Sequence, residues 1–235
     1  MAGMFWTFVE ASEIASGRVV IGGPRGHHLA RVLRVRAGER GVAVSNGTEY
    51  EIEVVEVGGT RIVGRVLGDR PVRGEPGISI TLLQAALPNP DFDAVIEGGT
   101  AVGIGRFIAV QAERSVARPA ASRLTRWQAI AGSAAEQSHR GAVPEMVGPV
   151  SLPAALEQVR GARLLVLEPS AMLPLLQAID GSDAFTIAVG PEGGWTDAEL
   201  SLMREHDGVI VNLGPRILRA RLAPVVAAAI LVQQR

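Results

Sequence analysis

The amino-acid sequence predicts an α/β protein: a mostly parallel sheet covered by helices, preceded by a small β-rich domain. Three observations carry that expectation. Beyond about residue 77, short apolar runs alternate with helix-like stretches, the pattern of a buried parallel sheet. Two of those runs, 187–189 and 209–213, each stop at Gly-Pro and restart as a helix. Ahead of residue 74 the runs alternate or are β-branched, and Asn46-Gly47 and Gly58-Gly59 punctuate them as turns.

Within the first segment, 41–45, 50–57 and 61–67 read as strands. Only 25–36 has a helical pattern, which turns Leu29, Val32, Leu33 and Val35 inward and Arg31, Arg34 and Arg36 outward. The stretch RPVRGEPG over 70–77 is charged, rich in Pro and Gly and without periodicity, so it reads as the linker between domains 1–73 and 74–235. Strands at 78–85, 107–110 and 163–167 then alternate with helices at 92–102, 123–138 and 172–179. In AVGPEGGWTDAEL (188–200), Gly190-Pro191-Glu192-Gly193-Gly194 forms a backbone-dominated turn, because glycine admits positive φ and proline withholds a donor. Thr196 and Glu199 have capping-box spacing, so a helix starts there. LGPRILRARLA (213–223) repeats the plan, with a turn at Gly214-Pro215 and a helix from about Ala223 that tolerates Pro224 in its first turn. Small residues on several faces of that helix permit close approach of another. Two glycine loops at the carboxyl ends of neighbouring strands make a crevice in which a ligand can touch backbone groups.

Composition narrows the chemistry. The 235 residues include no cysteine, which removes disulfides, thiolate nucleophiles and zinc-finger sites. They include no lysine either, so all 23 basic residues are arginine, as a biased genomic base composition would produce. With no GK[ST] there is no P-loop, and the first glycine loop is not GxGxxG. No apolar run reaches membrane-spanning length and no leader is read at Met1, which predicts a soluble, cytoplasmic protein. His27-His28 has no acidic or thiol neighbours to complete a metal site, and none is expected. The net charge of −1 is unevenly spread: 1–74 carries +2, 106–140 carries +4, and the remainder −7. Arginine suits bidentate phosphate contact and base stacking, so a local basic face can bind RNA on a near-neutral chain. Ordinary solvated arginine gives the same counts.

Four stretches in order carry a resemblance: HLARVLR (28–34), AAEQSHR (134–140) followed by Val143-Pro144, GPEGGWTDAEL, and LGPRILR. Together they span nearly the whole chain and resemble the elements of the RsmE-type 16S rRNA uracil-N3 methyltransferases of the SPOUT superfamily. The resemblance implies a PUA-like β-barrel over 1–73 and a SPOUT methyltransferase domain with a C-terminal trefoil knot over 74–235. It also implies a homodimer, S-adenosyl-L-methionine as cofactor, and 16S rRNA in the 30S subunit as partner. The cofactor would lie between the strand end Leu167-Glu168, the loop Val189, Gly190, Glu192, Gly193, Gly194, and the loop Leu213, Gly214, Ile217, Leu218. Arg219 would stabilise negative charge on the uracil ring, Glu192 would balance the sulfonium or fix its turn, and Arg140 would orient the base or cross a dimer interface. Arg25, His28, Arg31, Arg34 and Arg36 would dock RNA.

The chain departs from that family pattern in two places. Where the family continues LRTETA, this chain reads LRARLA, with Ala220, Arg221 and Leu222. Where the family has KATELG, it reads Gly98-Gly99-Thr100-Ala101-Val102-Gly103. The lost carboxylates would leave Arg219 and Arg221 without partners, and Gly98-Gly99 would each cost a helix about 1 kcal/mol. A uracil-N3 methyltransferase, a divergent paralogue methylating another RNA and a catalytically silent RNA-binding protein all follow from these residues.

Overall fold

The computed structural model describes residues 4–234, so the reading at Met1 lies outside it. The chain divides into two units, one of residues 4–75 with His139–Ala142, the other of Pro76–Ser138 with 143–234.

The first unit is a six-stranded sheet in the order β1-β4-β5-β6-β3-β2. Its strands are β1 (Phe5–Phe8), β2 (Ile14–Ala15), β3 (Arg18–Ile21), β4 (Arg40–Ser45), β5 (Thr48–Val57) and β6 (Ile62–Pro71). β1 runs parallel to β4 and the other pairs are antiparallel. Val19, Ile21, Ile52 and Ile62 are buried at the centre of its core. The expected helix over 25–36 is a short α1 (Gly23–His27) followed by a π-helical turn at His28–Val32. Leu33 N accordingly bonds His28 O, five residues back. The extra residue per turn rotates the face, so Leu29 and Val35 are buried while Val32 and Leu33 are 60% and 53% exposed, contrary to the simple helical pattern. The segment His139–Ala142 belongs to this unit. Trp6 donates its indole N–H to Arg140 O at 3.1 Å and stacks on His139 with ring centroids 4.7 Å apart.

The second unit is a wholly parallel sheet in the order β12-β10-β11-β7-β8-β9. Its strands are β7 (Ser79–Ala85), β8 (Arg106–Gln111), β9 (Glu145–Ser151), β10 (Arg163–Leu167), β11 (Ala184–Val189) and β12 (Val209–Val211). The expected α/β class is thus what the chain adopts. Side chains alternate across the sheet: Leu82, Phe185 and Ile187 meet one core, Leu83, Ala188 and Val166 the other. On the first face lie α2 (Asn89–Ala101), α3 (Arg123–Gln137) and α7 (Ala223–Val232); on the second lie α4 (Leu152–Glu157) and α6 (Asp197–Glu205). Gly98 is where α2 meets α7: a Cβ there would stand 3.0 Å from Val225 Cγ2. At Gly99 it would stand 2.8 Å from the Phe107 ring. The glycine pair that looks costly in sequence is what lets this helix lie against its neighbours.

The expected helix over 172–179 shrinks to α5 (Leu175–Ala178). Its first residues are otherwise engaged: Asn212 N bonds Leu173 O and Leu175 N bonds Asn212 O, both at 2.9 Å. A backbone committed to a strand-like ladder cannot also close helical bonds. On the β10 side, Glu168 N donates to Val211 O at 2.9 Å. The connection leaving β10 therefore wraps the end of β12, and Asn212 Nδ2 fixes it further through Ala171 O at 2.8 Å.

Candidate active site

A cavity of about 440 Å³ opens at the carboxyl ends of β10, β11 and β12. Leu167 and Glu168 end β10, Val189 and Gly190 end β11, and Val211 ends β12. The loops after β11 and β12 supply the remaining walls, and Asp91 from the first turn of α2 supplies the rim.

Local sequence explains both loops. After β11, Gly194 takes φ +71, its N–H bonds Pro191 O at 2.9 Å, and the capping box forms as its spacing predicts: Thr196 Oγ1 accepts from Glu199 N, and Glu199 accepts from Thr196 N. Trp195 folds back beneath Gly190, where a Cβ would stand 3.3 Å from the indole nitrogen. The indole is 4% exposed and its N–H has no partner among the described residues, leaving a buried donor in the wall of the cavity. After β12, Asn212 Oδ1 accepts from Gly214 N at 2.8 Å, and Gly214 takes φ +96, which turns the loop. Ile217 projects with 83% of its surface exposed, although it lines the cavity.

Of the residues expected to hold a cofactor, Leu167, Glu168, Val189, Gly190, Glu192 and Gly194 meet Leu213, Gly214, Ile217 and Leu218 around this one space. Gly193 is the exception. It does not line the cavity, and a Cβ there would stand 3.3 Å from Arg114 Cβ. Beside Asp91 on the rim, the carboxylates of the cavity are Glu168, held by Ser170 through its N–H and its hydroxyl, and the exposed Glu192. Arg219 lines the cavity and is exposed, and its guanidinium has no hydrogen-bond or ion-pair partner among the described residues. Arg221 is not left unpaired. Its Nη1 lies 2.9 Å from Asp91 Oδ1 across the rim. Ala101, the other departure, is exposed at the end of α2 and does not line the cavity.

Arg140 belongs to the first unit, where its side chain pairs with Glu75. Its guanidinium is 5% exposed and forks onto Glu75, with Nε 3.1 Å from Oε1 and Nη2 2.6 Å from Oε2. Burial alone would raise the Glu75 carboxyl. The hydrogen bond and charge of Arg140, with the backbone N–H groups of Gly141 and Ala142, outweigh it and hold the group below its ordinary value. Arg25 is also engaged, reaching Glu13 at 2.6 Å and Phe8 O at 3.0 Å. His28, Arg31, Arg34 and Arg36 are exposed, and Arg34 takes φ +56 at the end of the π-helical turn. No cluster able to hold a metal ion occurs among the described residues. Sequence reasoning missed Asp91, Arg216 and Arg114. Trp195 and Asn212 sat inside or beside quoted motifs, and their polar side chains were the available signal.

Comparison with known proteins follows the same division. Residues 74–232 match the family model of an RNA methyltransferase domain and residues 21–67 that of an RNA methyltransferase PUA domain, which defines the class. Among relatives, the ribosomal RNA small subunit methyltransferase E of Bacillus subtilis is 31% identical, covering 91% of this chain and 89% of its own. Its Mycobacterium tuberculosis counterpart is 35% identical over 94% and 88%. A crystal structure of the Neisseria gonorrhoeae ribosomal RNA small subunit methyltransferase E, bound to S-adenosyl methionine, superposes with a TM-score of 0.90 at 28% identity, covering 99% of this chain and 98% of that one. The chain belongs to this family of RNA methyltransferases, the small subunit methyltransferase E proteins.

Proposed function

We propose that this protein transfers a methyl group from S-adenosyl-L-methionine to N3 of one uridine in 16S rRNA, acting on the 30S particle. The observation that carries the reading is the cavity itself. Two glycine loops bring bare backbone to one space beside the unpaired cation of Arg219. The residues present fit the cofactor. Gly190 leaves room where any side chain would meet the indole of Trp195, and the Trp195 N–H is a buried donor awaiting an acceptor. Leu213, Ile217 and Leu218 offer apolar surface for an adenine, and their backbone groups offer its edge partners. When bound, the cofactor supplies an electrophilic methyl group on a sulfonium.

The protein must manage the acceptor. N3 of uracil bears a weakly acidic proton, and methylation there requires that the ring lose it as the new bond forms. Arg219, exposed at the cavity wall, would sit by the uracil carbonyls and lower the cost of the anionic ring. Glu192 and Glu168 supply negative charge on the cofactor side. N3 faces the partner base in a pair, so the target uridine must be unpaired or extruded. The exposed His28, Arg31, Arg34 and Arg36 supply phosphate contacts from the first unit.

The same reading includes a homodimer in the cytoplasm and a knotted chain path. Partly buried Val226 and Ala229 on α7 support the dimer. Support for the knot comes from Asn212, tied to Leu173, Leu175 and Ala171 of the connection that residues 213–222 would have to thread. No helix among the described residues is long and apolar enough to cross a membrane.

The deciding experiment is transfer of labelled methyl groups to 30S particles lacking native uracil-N3 methylation, mapped by reverse-transcription arrest. A single labelled 16S uridine, absent with naked fragments, is the expected result. Cofactor binding with no label on the particle would move the target to another RNA. Absent cofactor binding would leave a silent RNA-binding scaffold.

A further inference from the structure

The glycine loop after β11 is gripped by a neighbour outside the cavity. β8 ends at Gln111, and the turn beyond it meets both the loop and the start of α6. Arg114 Nη1 donates to Gly193 O at 3.1 Å and to Trp195 O at 3.2 Å. In the opposite direction, Glu113 N donates to Glu199 Oε1 at 2.9 Å. The other oxygen of that carboxylate is the one that caps α6, accepting from Thr196 N at 2.9 Å and Thr196 Oγ1 at 3.2 Å. β7 stands between β11 and β8 in the sheet, so the loop spans the end of β7 to reach this partner.

Carbonyls in an irregular segment have no ladder to satisfy them, and each needs a donor. One guanidinium nitrogen here serves two such carbonyls, flanking Gly194 with its positive φ. A cationic donor makes these stronger than neutral bonds. Gly193 lets the backbone lie flat on the arginine stem, since a Cβ would stand 3.3 Å from Arg114 Cβ. On the other side the loop rests on the buried indole of Trp195, beneath Gly190. The backbone that presents Gly190, Glu192 and Gly194 to the cavity is thereby fixed from two directions.

The geometry points to Arg114 as the positioning residue of the cofactor loop, with the Glu113 N–H to Glu199 carboxylate bond as its reciprocal half. This rests on the reading that the cavity takes S-adenosyl-L-methionine. Arg114 does not line the cavity, so it acts through the loop rather than on the ligand. The latch also explains why Gly193 alone among the loop's expected cofactor residues does not line the cavity: it is the point of attachment.

The test compares the full-length protein with R114A and R114K by amide hydrogen exchange, calorimetric titration with S-adenosyl-L-methionine, and steady-state kinetics. In R114A the amides of 190–196 exchange faster while those of β10 and β11 keep their protection. Its Kd for the cofactor rises about tenfold, the scale set by losing charged hydrogen bonds at a partly exposed site. KM for the cofactor rises by more than kcat falls, and R114K, which keeps a cationic donor, recovers part of both changes. Unaltered exchange over 190–196 in R114A overturns the proposal. So does a loss of affinity that merely follows a global loss of protection. If the unmodified protein takes up no cofactor, the cofactor reading fails, and the exchange comparison still decides the latch.

Discussion

At the scale of single residues, the cavity holds a cation whose charge nothing nearby uses. Arg221 is neutralised by Asp91, whereas Arg219 is exposed and its guanidinium lacks a partner among the described residues. The two differ by two positions in sequence, and charge counting treats them alike. Their fates diverge because the chain between them turns, sending one to the rim of α2 and leaving the other at the wall. Arg219→Ala is expected to lower kcat by about 100-fold or more, the usual effect of removing a group that stabilises developing charge. Cofactor affinity should stay within about threefold, since the loss falls on the transition state rather than on binding. Calorimetry beside single-turnover methyl transfer separates the two. Equal losses in both would mean that Arg219 serves binding instead.

At the scale of elements, local signals were most reliable where one short motif settles the backbone. The capping box at Thr196–Glu199, the start of α7 with Pro224 in its first turn, and strand β10 all form where the sequence puts them. Segments whose form depends on a distant partner were not legible. β1, β2, β3 and β9 carry no distinctive alternation, and they become strands because a neighbour offers an edge. α5 is shortened by Asn212, and the helix expected from 25 onward is rewound by a π-helical turn. Gly98-Gly99 shows the same dependence with the opposite sign. In an isolated helix Gly99→Ala would gain about 1 kcal/mol. Here the new Cβ would stand 2.8 Å from Phe107 and 2.9 Å from Ile104, an overpacking worth ~1–3 kcal/mol. We expect the variant to melt about 2–4 °C lower, as thermal unfolding would report. A higher melting point would mean that the core yields at that position.

At the scale of the whole molecule, Glu75 and Arg140 lie 65 residues apart in sequence and close the first unit around the returning segment His139–Ala142. Because its folded-state pKa is depressed, Glu75 contributes stability that is present above its unfolded value and lost as pH falls through the lower folded value. Glu75→Gln removes the negative charge onto which a nearly buried guanidinium forks. The expected cost at neutral pH is about 2 kcal/mol, below the ~3–5 kcal/mol of a fully buried pair because the Glu75 side chain is 35% exposed. Denaturant melts of both proteins should converge on acidification below about pH 4.3, the ordinary carboxylate value. A gap that persists unchanged into acid would assign the loss to packing.

Sequence by itself determined the α/β class, the two glycine turns at strand ends and the cap on α6, because each depends on residues within a few positions of one another. It also determined the family, through four ordered motifs that span most of the chain. Only the tertiary structure decided which side chains share the cavity. It brought Asp91 to Arg221, Arg114 to Gly193 and Trp195, and Glu75 to Arg140, pairs separated by 65 to 130 residues. It also turned a costly glycine pair into a helix contact. Such outcomes are set by the order of strands in a sheet and by what each strand end meets, and periodicity along the chain carries no record of either.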